Sequence, residues 1–268
     1  MPESDLDLLL RAGQLAAKIA LKYFGKSPQT WDKSDGAGPV TEADLAIDTA
    51  LQTLLREARP DYGWLSEETE DTTERLQKSA IFVVDPIDGT RSFINGHQDF
   101  SHSLAVVKDG VPTAAVVHLP ARQEVFAAAK CAGATLNGTP ISVSPCRALE
   151  GARVLAAKPQ LAPELWPRGV PPVARHFRSS LAFRLSLVGQ GRFDGMLTLR
   201  PAWEWDIAAG SLIASEAGAV VTDAQGAPLK FNSPAAKTPG VIAANADLHR
   251  QFMALERFQS NHIHIQQL

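Results

Sequence analysis

The apolar run Ile81-Phe82-Val83-Val84 leads without a break into Asp85-Pro86-Ile87-Asp88-Gly89-Thr90. The run reads as a buried strand, and the hexapeptide after it places two carboxylates and a glycine turn at the strand end. Any fold for this chain has to bury the run and leave its end open. Hard cations such as Mg²⁺ take oxygen ligands and bind through one or two carboxylates plus substrate phosphate oxygens, so paired Asp residues at a strand end suit them. Gly89 has no side chain and lets backbone approach an anion, and if Thr90 opens a helix its free N–H groups point at that anion. This is the chemistry of a metal-dependent phosphatase. Taken alone, the segment is also an ordinary Pro-containing turn between strand and helix.

Three further acidic segments could share the site. Trp64-Leu65-Ser66-Glu67-Glu68 is strand-like and ends in two carboxylates, Thr41-Glu42-Ala43-Asp44 opens a periodic helix, and Trp203-Glu204-Trp205-Asp206 precedes the small-residue stretch Ile207-Ala208-Ala209-Gly210. In order, spacing and sequence these segments resemble the inositol monophosphatase superfamily of Mg²⁺-dependent, lithium-sensitive phosphomonoesterases, over nearly the whole chain. The resemblance implies a five-layered αβαβα sandwich of the inositol monophosphatase and sugar phosphatase type. Its α+β half, expected at residues 1–147, carries most metal ligands, and its α/β half, residues 148–268, carries Asp206 and substrate contacts. The active site lies between the halves, and homodimers are common among such proteins.

The resemblance also assigns roles. Glu67, Asp85 and the backbone carbonyl of Ile87 hold one Mg²⁺, Asp85 bridges to a second held with Asp88 and Asp206, and Glu67 approaches a third. Two metals sharing a carboxylate clamp the attacking and leaving oxygens of an in-line displacement. Phosphoryl transfer needs little covalent help from protein, so the implied nucleophile is a metal-bound water. Asp44 and Thr90 match the pair whose hydrogen bond orients and activates that water, with Glu67 completing the catalytic set. Gly89 and Thr90 offer backbone N–H groups to the phosphate, and Ser180 and Asp206 join them as substrate contacts.

Other readings of the same residues stay open. Thr41 and Asp44 spell a capping box, so Asp44 can bond a free helix N–H, and both roles fit through different carboxylate oxygens. Asp206 alone could be a helix N-cap. Glu68 reads as a solvated neighbour of Glu67, and Lys33 matches a basic residue of a mobile loop, residues 31–39, that closes on the metal site. His97, His102 and His118 lack metal-ligand spacing and read as satisfied polar residues, and His262 and His264 as parts of a tail.

The substrate is read from fewer residues. In inositol-preferring relatives an acid seven residues before the last metal-binding Asp contacts the inositol hydroxyls, and here that position is Leu199. Leu65-Ser66-Glu67-Glu68 and Ser179-Ser180-Leu181-Ala182-Phe183 look more like bacterial 3′(2′),5′-bisphosphate nucleotidases, which remove the 3′-phosphate of adenosine 3′,5′-bisphosphate. Arg178, Arg184 and Arg200 could supply a cation for a second phosphate. Gly191-Arg192-Phe193-Asp194-Gly195 and Thr135-Leu136-Asn137-Gly138 are similar to inositol and histidinol phosphatases as well, so those activities are alternatives. Some relatives are partners of the transcription machinery, which makes a non-catalytic binding role the alternative of another class. The set Asp44, Glu67, Asp85, Asp88, Thr90 and Asp206 favours an enzyme, because a binding protein has no physical need to hold five carboxylates against their repulsion.

At 268 residues and 45% hydrophobic, the chain can bury a sizeable core. A net charge of −3 and the lack of a Lys or Arg block argue against a nucleic-acid surface. The acidic start Met1-Pro2-Glu3-Ser4-Asp5 has no positive n-region and no apolar run reaches spanning length, so the expectation is a cytoplasmic protein, neither secreted nor membrane-inserted. Cys131 and Cys146 are expected as buried thiols rather than a bridge. Ser4 and Asp7 predict a capped first helix to about Phe24, Thr41 a second helix ending before Pro60, and Asp109-Gly110 a hairpin between strands 104–108 and 113–118. A strand at 124–129, a turn around Asn137-Gly138 and strand-like stretches at 153–157, 173–177, 193–199, 219–222 and 241–244, with helices between them, complete a mixed-sheet layout.

Overall fold

Strict two-residue alternation along the strands sorts their side chains into separate cores, and the layers of the fold result from that sorting. The computed structural model describes residues 3–33 and 38–255. Helix α1 (Asp5–Tyr23) begins at Ser4, whose hydroxyl accepts the Asp7 N–H at 3.1 Å. The short antiparallel strands β1 (Thr30–Asp32) and β2 (Pro39–Thr41) come after it, then α2 (Glu42–Ala58). The stretch read as a loop from 31 to 39 therefore has paired ends, and residues 34–37 lie outside the described residues, as does the tail with His262 and His264.

A seven-stranded sheet comes next, in the order β3 (Gly63–Ser66), β4 (Ala80–Asp88), β5 (Ser101–Lys108), β6 (Val111–Leu119), β7 (Glu124–Ala129), β8 (Ala134–Leu136) and β9 (Thr139–Pro140). The apolar run of the sequence is β4, buried along its whole length, parallel to β3 and antiparallel to β5. The short helix α3 (Thr90–Ile94) leaves its end. The β5–β6 connection holds Asp109 and Gly110 at φ 49° and 77°, and β8–β9 holds Asn137 and Gly138 at 48° and 79°, the left-handed pairs a two-residue hairpin needs.

The second sheet has five strands in the order β11-β10-β12-β16-β14. They are β10 (Arg153–Leu155), β11 (Ala174–His176), β12 (Gly195–Thr198), β14 (Val220–Thr222) and β16 (Val241–Ala244), all within the expected stretches but mostly shorter. The pair β13 (Ala202–Trp203) and β15 (Lys237–Thr238) forms a separate ribbon. Helices α4 (Leu181–Gly189), α5 (Glu204–Glu216) and α6 (Ala246–Ala254) complete the fold.

Along β4, Phe82 and Val84 pack with α1 and α2, whereas Ile81 and Val83 face α4 and α5. Along β16, Val241 and Ala243 face the same α4–α5 layer from the other side, while Ile242 and Ala244 pack with Leu248 and Phe252 of α6. The layers are therefore α1/α2, large sheet, α4/α5, small sheet and α6, the expected αβαβα sandwich. No helix of the described residues is long and apolar enough to cross a membrane. Cys131 and Cys146 are both free, and Cys131 is exposed rather than buried because it sits in a left-handed turn after β7.

Candidate active site

Asp85 and Asp88 are three residues apart, which in a regular strand aims them at opposite faces. A bulge in β4 removes that conflict. Asp85 pairs with Ser103 but Asp88 pairs with Ser101, so β4 carries one residue more than β5 between them. Both aspartates consequently stand opposite residues that share one face of β5. Glu67 directly succeeds β3, and its N–H donates to the Val84 carbonyl at 3.2 Å, which continues the parallel pairing and brings its carboxylate beside Asp85. Asp206 arrives from the first turn of α5. The helix starts after Trp203, so Asp206 is not its N-cap.

One carboxylate oxygen from each of Glu67, Asp85 and Asp206 lies within 4.8 Å of the others. Burial, then the charges of Glu67, Asp88 and Asp206, push the Asp85 carboxyl well above the usual range. Lost hydration, then Asp88 and Glu67, do the same to Asp206. Asp88 is pushed up to about 6 by burial, against the Ser180 hydroxyl at 2.7 Å and the Ala182 N–H at 2.8 Å, which both donate to its Oδ2. The Asp85 Oδ1 is buried without any hydrogen-bond partner. Crowded carboxylates, raised proton affinities and an orphaned buried oxygen are the signature of a missing positive charge. An oxygen-only donor set of this kind fits Mg²⁺.

Asp44 forms the capping box and keeps one oxygen in reserve. Its Oδ2 accepts the Thr41 N–H at 2.8 Å and the Thr41 hydroxyl at 2.5 Å, while its Oδ1 is buried and unpartnered. Burial raises its carboxyl to about 6, against the Thr41 hydrogen bonds. The expected hydrogen bond between Asp44 and Thr90 is not formed. The Thr90 hydroxyl donates instead to the Ile87 carbonyl at 3.1 Å, because Thr90 sits one turn past that carbonyl at the start of α3.

Two other expectations are corrected. Ser180 is fully buried, and its hydroxyl caps α4 and clasps Asp88, so it supports an acid of the site and cannot reach a substrate. Glu68 is not a solvated neighbour: its side chain is 4% exposed and accepts the Lys33 Nζ at 2.9 Å, while Lys33 also donates to Glu67 at 2.6 Å. Burial, then the Glu67 charge, raise the Glu68 carboxyl to about 7. His118 bonds the Gly13 carbonyl through Nδ1 as expected, whereas His102 bonds the Pro86 carbonyl through Nδ1 but leaves Nε2 buried without a partner, so it is only half satisfied. Burial holds the His102 ring neutral, its pKa lowered to about 3.

Two clefts open on either side of Glu67. One, of about 450 Å³, is lined by Gly89, Thr90, Ser179, Phe177, Arg184 and Arg200. The other, of about 430 Å³, is lined by Asp206, Trp203, Trp205, Leu181, Lys33 and again Arg200. Gly89 has φ 97°, and a Cβ there would come within 3.1 Å of the Asp99 carbonyl, so the turn takes glycine on both counts. Arg184 is buried, its guanidinium 4.5 Å from the Phe177 ring centroid and donating to the Arg178 carbonyl. Burial and the nearby Arg200 lower its pKa to about 10. In the other cleft Trp203 and Trp205 stack at 4.5 Å, with Lys237 Nζ 3.7 Å from the Trp203 centroid.

A family model described as Inositol monophosphatase family matches residues 2–261. The chain belongs to the inositol monophosphatase family. Among curated relatives, the inositol-1-monophosphatase of Rhizobium meliloti is 32% identical over 240 residues, covering 85% of this chain and 89% of that protein. The Nus factor SuhB of Escherichia coli is 31% identical over 232 residues, covering 82% and 85%. Among solved structures, the Thermotoga maritima IMPase superposes with a TM-score of 0.79 at 28% identity, covering 92% of this chain and 94% of its own. Inositol monophosphatase family members are phosphatases that use Mg²⁺, and the acid cluster of this chain is suited to that ion.

The sequence reading passed over Ser101 and Ser103, whose side chains reach the site from behind. Their signal was visible as Ser101-His102-Ser103, three polar residues set between Phe100 and the apolar Leu104-Ala105-Val106-Val107.

Proposed function

We propose that this chain hydrolyses a small phosphomonoester bearing a second anionic group, with a 3′(2′),5′-bisphosphate nucleotide preferred over inositol 1-phosphate or histidinol phosphate. The observation that carries this is the pair Arg184 and Arg200. They line the cleft that holds Gly89 and Thr90, and among the described residues neither makes a salt bridge, although the charges of Asp88 and Asp206 favour the Arg184 cation and Arg200 acts on Asp206. A buried Arg184 whose proton affinity is lowered by burial and by the nearby Arg200 charge is, together with that second guanidinium, a ready counter-charge for phosphate or carboxylate. Leu199, where inositol-preferring relatives carry an acid, is buried and offers sugar hydroxyls nothing.

Glu67, Asp85, Asp88, Asp206 and the Ile87 carbonyl would hold Mg²⁺, which when bound neutralises phosphate charge and favours an ionised water. The Gly89 and Thr90 backbone N–H groups bind the phosphate being transferred. Asp44, through the oxygen its capping box leaves over, receives the proton of the attacking water. Thr90 keeps the Ile87 carbonyl in place. The stacked indoles give the second cleft a flat wall on the side of Asp206. Free thiols at Cys131 and Cys146 suit a cytoplasmic setting. The Nus factor name of the Escherichia coli relative raises a role beside the transcription machinery, but five carboxylates held together at a cost in repulsion support an enzyme.

Phosphate release with Mg²⁺ from adenosine 3′,5′-bisphosphate, inositol 1-phosphate and histidinol phosphate, with and without lithium, tests the reading. The nucleotide should be the best substrate, and Arg200→Ala should raise its KM while leaving that of inositol 1-phosphate within about twofold. A preference for inositol 1-phosphate would overturn it.

A further inference from the structure

We propose that Ser101, His102 and Ser103, consecutive residues of β5, are positioning residues that fasten the metal-binding acids from behind. The proposal rests on the reading that Asp85, Asp88 and Asp206 hold Mg²⁺. All three residues are buried in a strand whose other positions are mostly apolar. Each sends its side chain to a different part of the site.

Ser103 donates to the Trp205 carbonyl at 2.8 Å and so ties down the residue that precedes Asp206. Ser101 bonds the Ser180 hydroxyl at 2.9 Å. Ser180 spends its single proton on Asp88 and accepts from the Phe183 N–H, which makes Ser101 the donor in that chain. His102 lies opposite the bulge, on the reverse face from the two serines, with its Nδ1 2.5 Å from the Pro86 carbonyl. A carbonyl only accepts, so the proton sits on Nδ1 and Nε2 is bare. That Nε2 is buried without a partner. A fold serving stability alone gains nothing from an unsatisfied imidazole nitrogen in its core, whereas one that has to hold the Pro86 carbonyl between Asp85 and Asp88 needs the donor on its other side.

The test is titration calorimetry of the full chain with Mg²⁺ alone and Mn²⁺ alone, together with thermal unfolding of the metal-free protein, for Ser101→Ala, Ser103→Ala, His102→Leu and His102→Asn. Outer-shell partners of metal ligands typically set affinity by about 10- to 100-fold. Ser103→Ala and His102→Leu should each weaken the binding of both ions by about 10-fold or more, beyond any change in metal-free melting. His102→Asn, which restores a donor close to the Nδ1 position, should return to within about threefold of wild type. Variants that bind both ions like wild type, or an Asn variant no better than the Leu one, would overturn the proposal. If His102→Leu does not fold, Ser103→Ala decides alone, since it removes a single hydroxyl. Wild-type protein that binds neither ion removes the metal site and this proposal with it, whereas intact wild-type binding with unaffected variants removes the proposal only.

Discussion

Asp85→Asn removes a charge that burial and four neighbouring acids already oppose, while keeping the shape of the side chain. The expected outcome is a loss of Mg²⁺-dependent phosphate release of at least about 100-fold, with the metal-free melting temperature unchanged or raised. Near-wild-type turnover would take Asp85 out of the metal site. Asp44→Asn separates the helix cap that Asp44 forms from the proton transfer proposed for it. The amide oxygen can still accept the Thr41 N–H, but the group at the unpartnered position can no longer take a proton. Turnover should fall by about 10²- to 10⁴-fold with Mg²⁺ binding largely retained. Unchanged kcat with a lower melting temperature would leave Asp44 only its cap.

At the scale of elements, the site depends on how closely α4 and α5 cross. Helix α4 clasps Asp88 with its N-terminus and α5 carries Asp206 in its first turn, so the spacing of the two helices sets the spacing of two acids proposed to hold Mg²⁺. Gly210 makes that crossing possible. A Cβ there would lie 2.7 Å from the Leu185 Cβ and 3.0 Å from the Ala182 carbonyl, neither the end of a flexible chain. Gly210→Ala should cost about 1–3 kcal/mol, and a comparison of thermal unfolding with Mg²⁺ titration should show weakened metal affinity as well. A melting drop with unchanged affinity would mean that the helices part without moving the acids. The opening of α5 has its own anchor in Glu204, whose buried carboxylate accepts the N–H groups of Asn232 at 2.6 Å and Ser233 at 2.9 Å.

For the whole molecule the acid cluster has a consequence in pH. Burial raises Asp44 and Asp88 to about 6 and Glu68 to about 7, and pushes Asp85 and Asp206 well above their usual range. A carboxyl that holds its proton more tightly when folded contributes stability below its unfolded pKa and loses that contribution as pH rises through the folded value. Metal-free protein should therefore melt at progressively lower temperature from about pH 4 to pH 7 and beyond. Mg²⁺ replaces the protons, so its stabilising effect should be larger at pH 8 than at pH 5.5. Calorimetric scans with chelator and with Mg²⁺ measure both trends, and equal stabilisation at the two pH values would argue against metal at these acids.

How much of the fold and site is readable from sequence depends on the range over which each feature is decided. The buried run of β4, the caps at Ser4 and Thr41, the left-handed hairpin pairs and the acidic segments around Asp44, Glu67, Asp85 and Asp206 were legible in the sequence, because each rests on neighbours within a few residues. The resemblance carried by those segments extended that reading to the layered fold. What only the tertiary structure decided lies across the layers. The bulge that turns Asp85 and Asp88 to one face depends on pairing with β5, and the burial of Ser180 depends on α4 docking against Asp88. The ion pair of Lys33 with Glu68 joins segments 35 residues apart. The bonds of Ser101 and Ser103 reach 79 and 102 residues along the chain. Such contacts leave no periodicity behind, since a hydroxyl that ends on a distant carbonyl looks in sequence like any other serine.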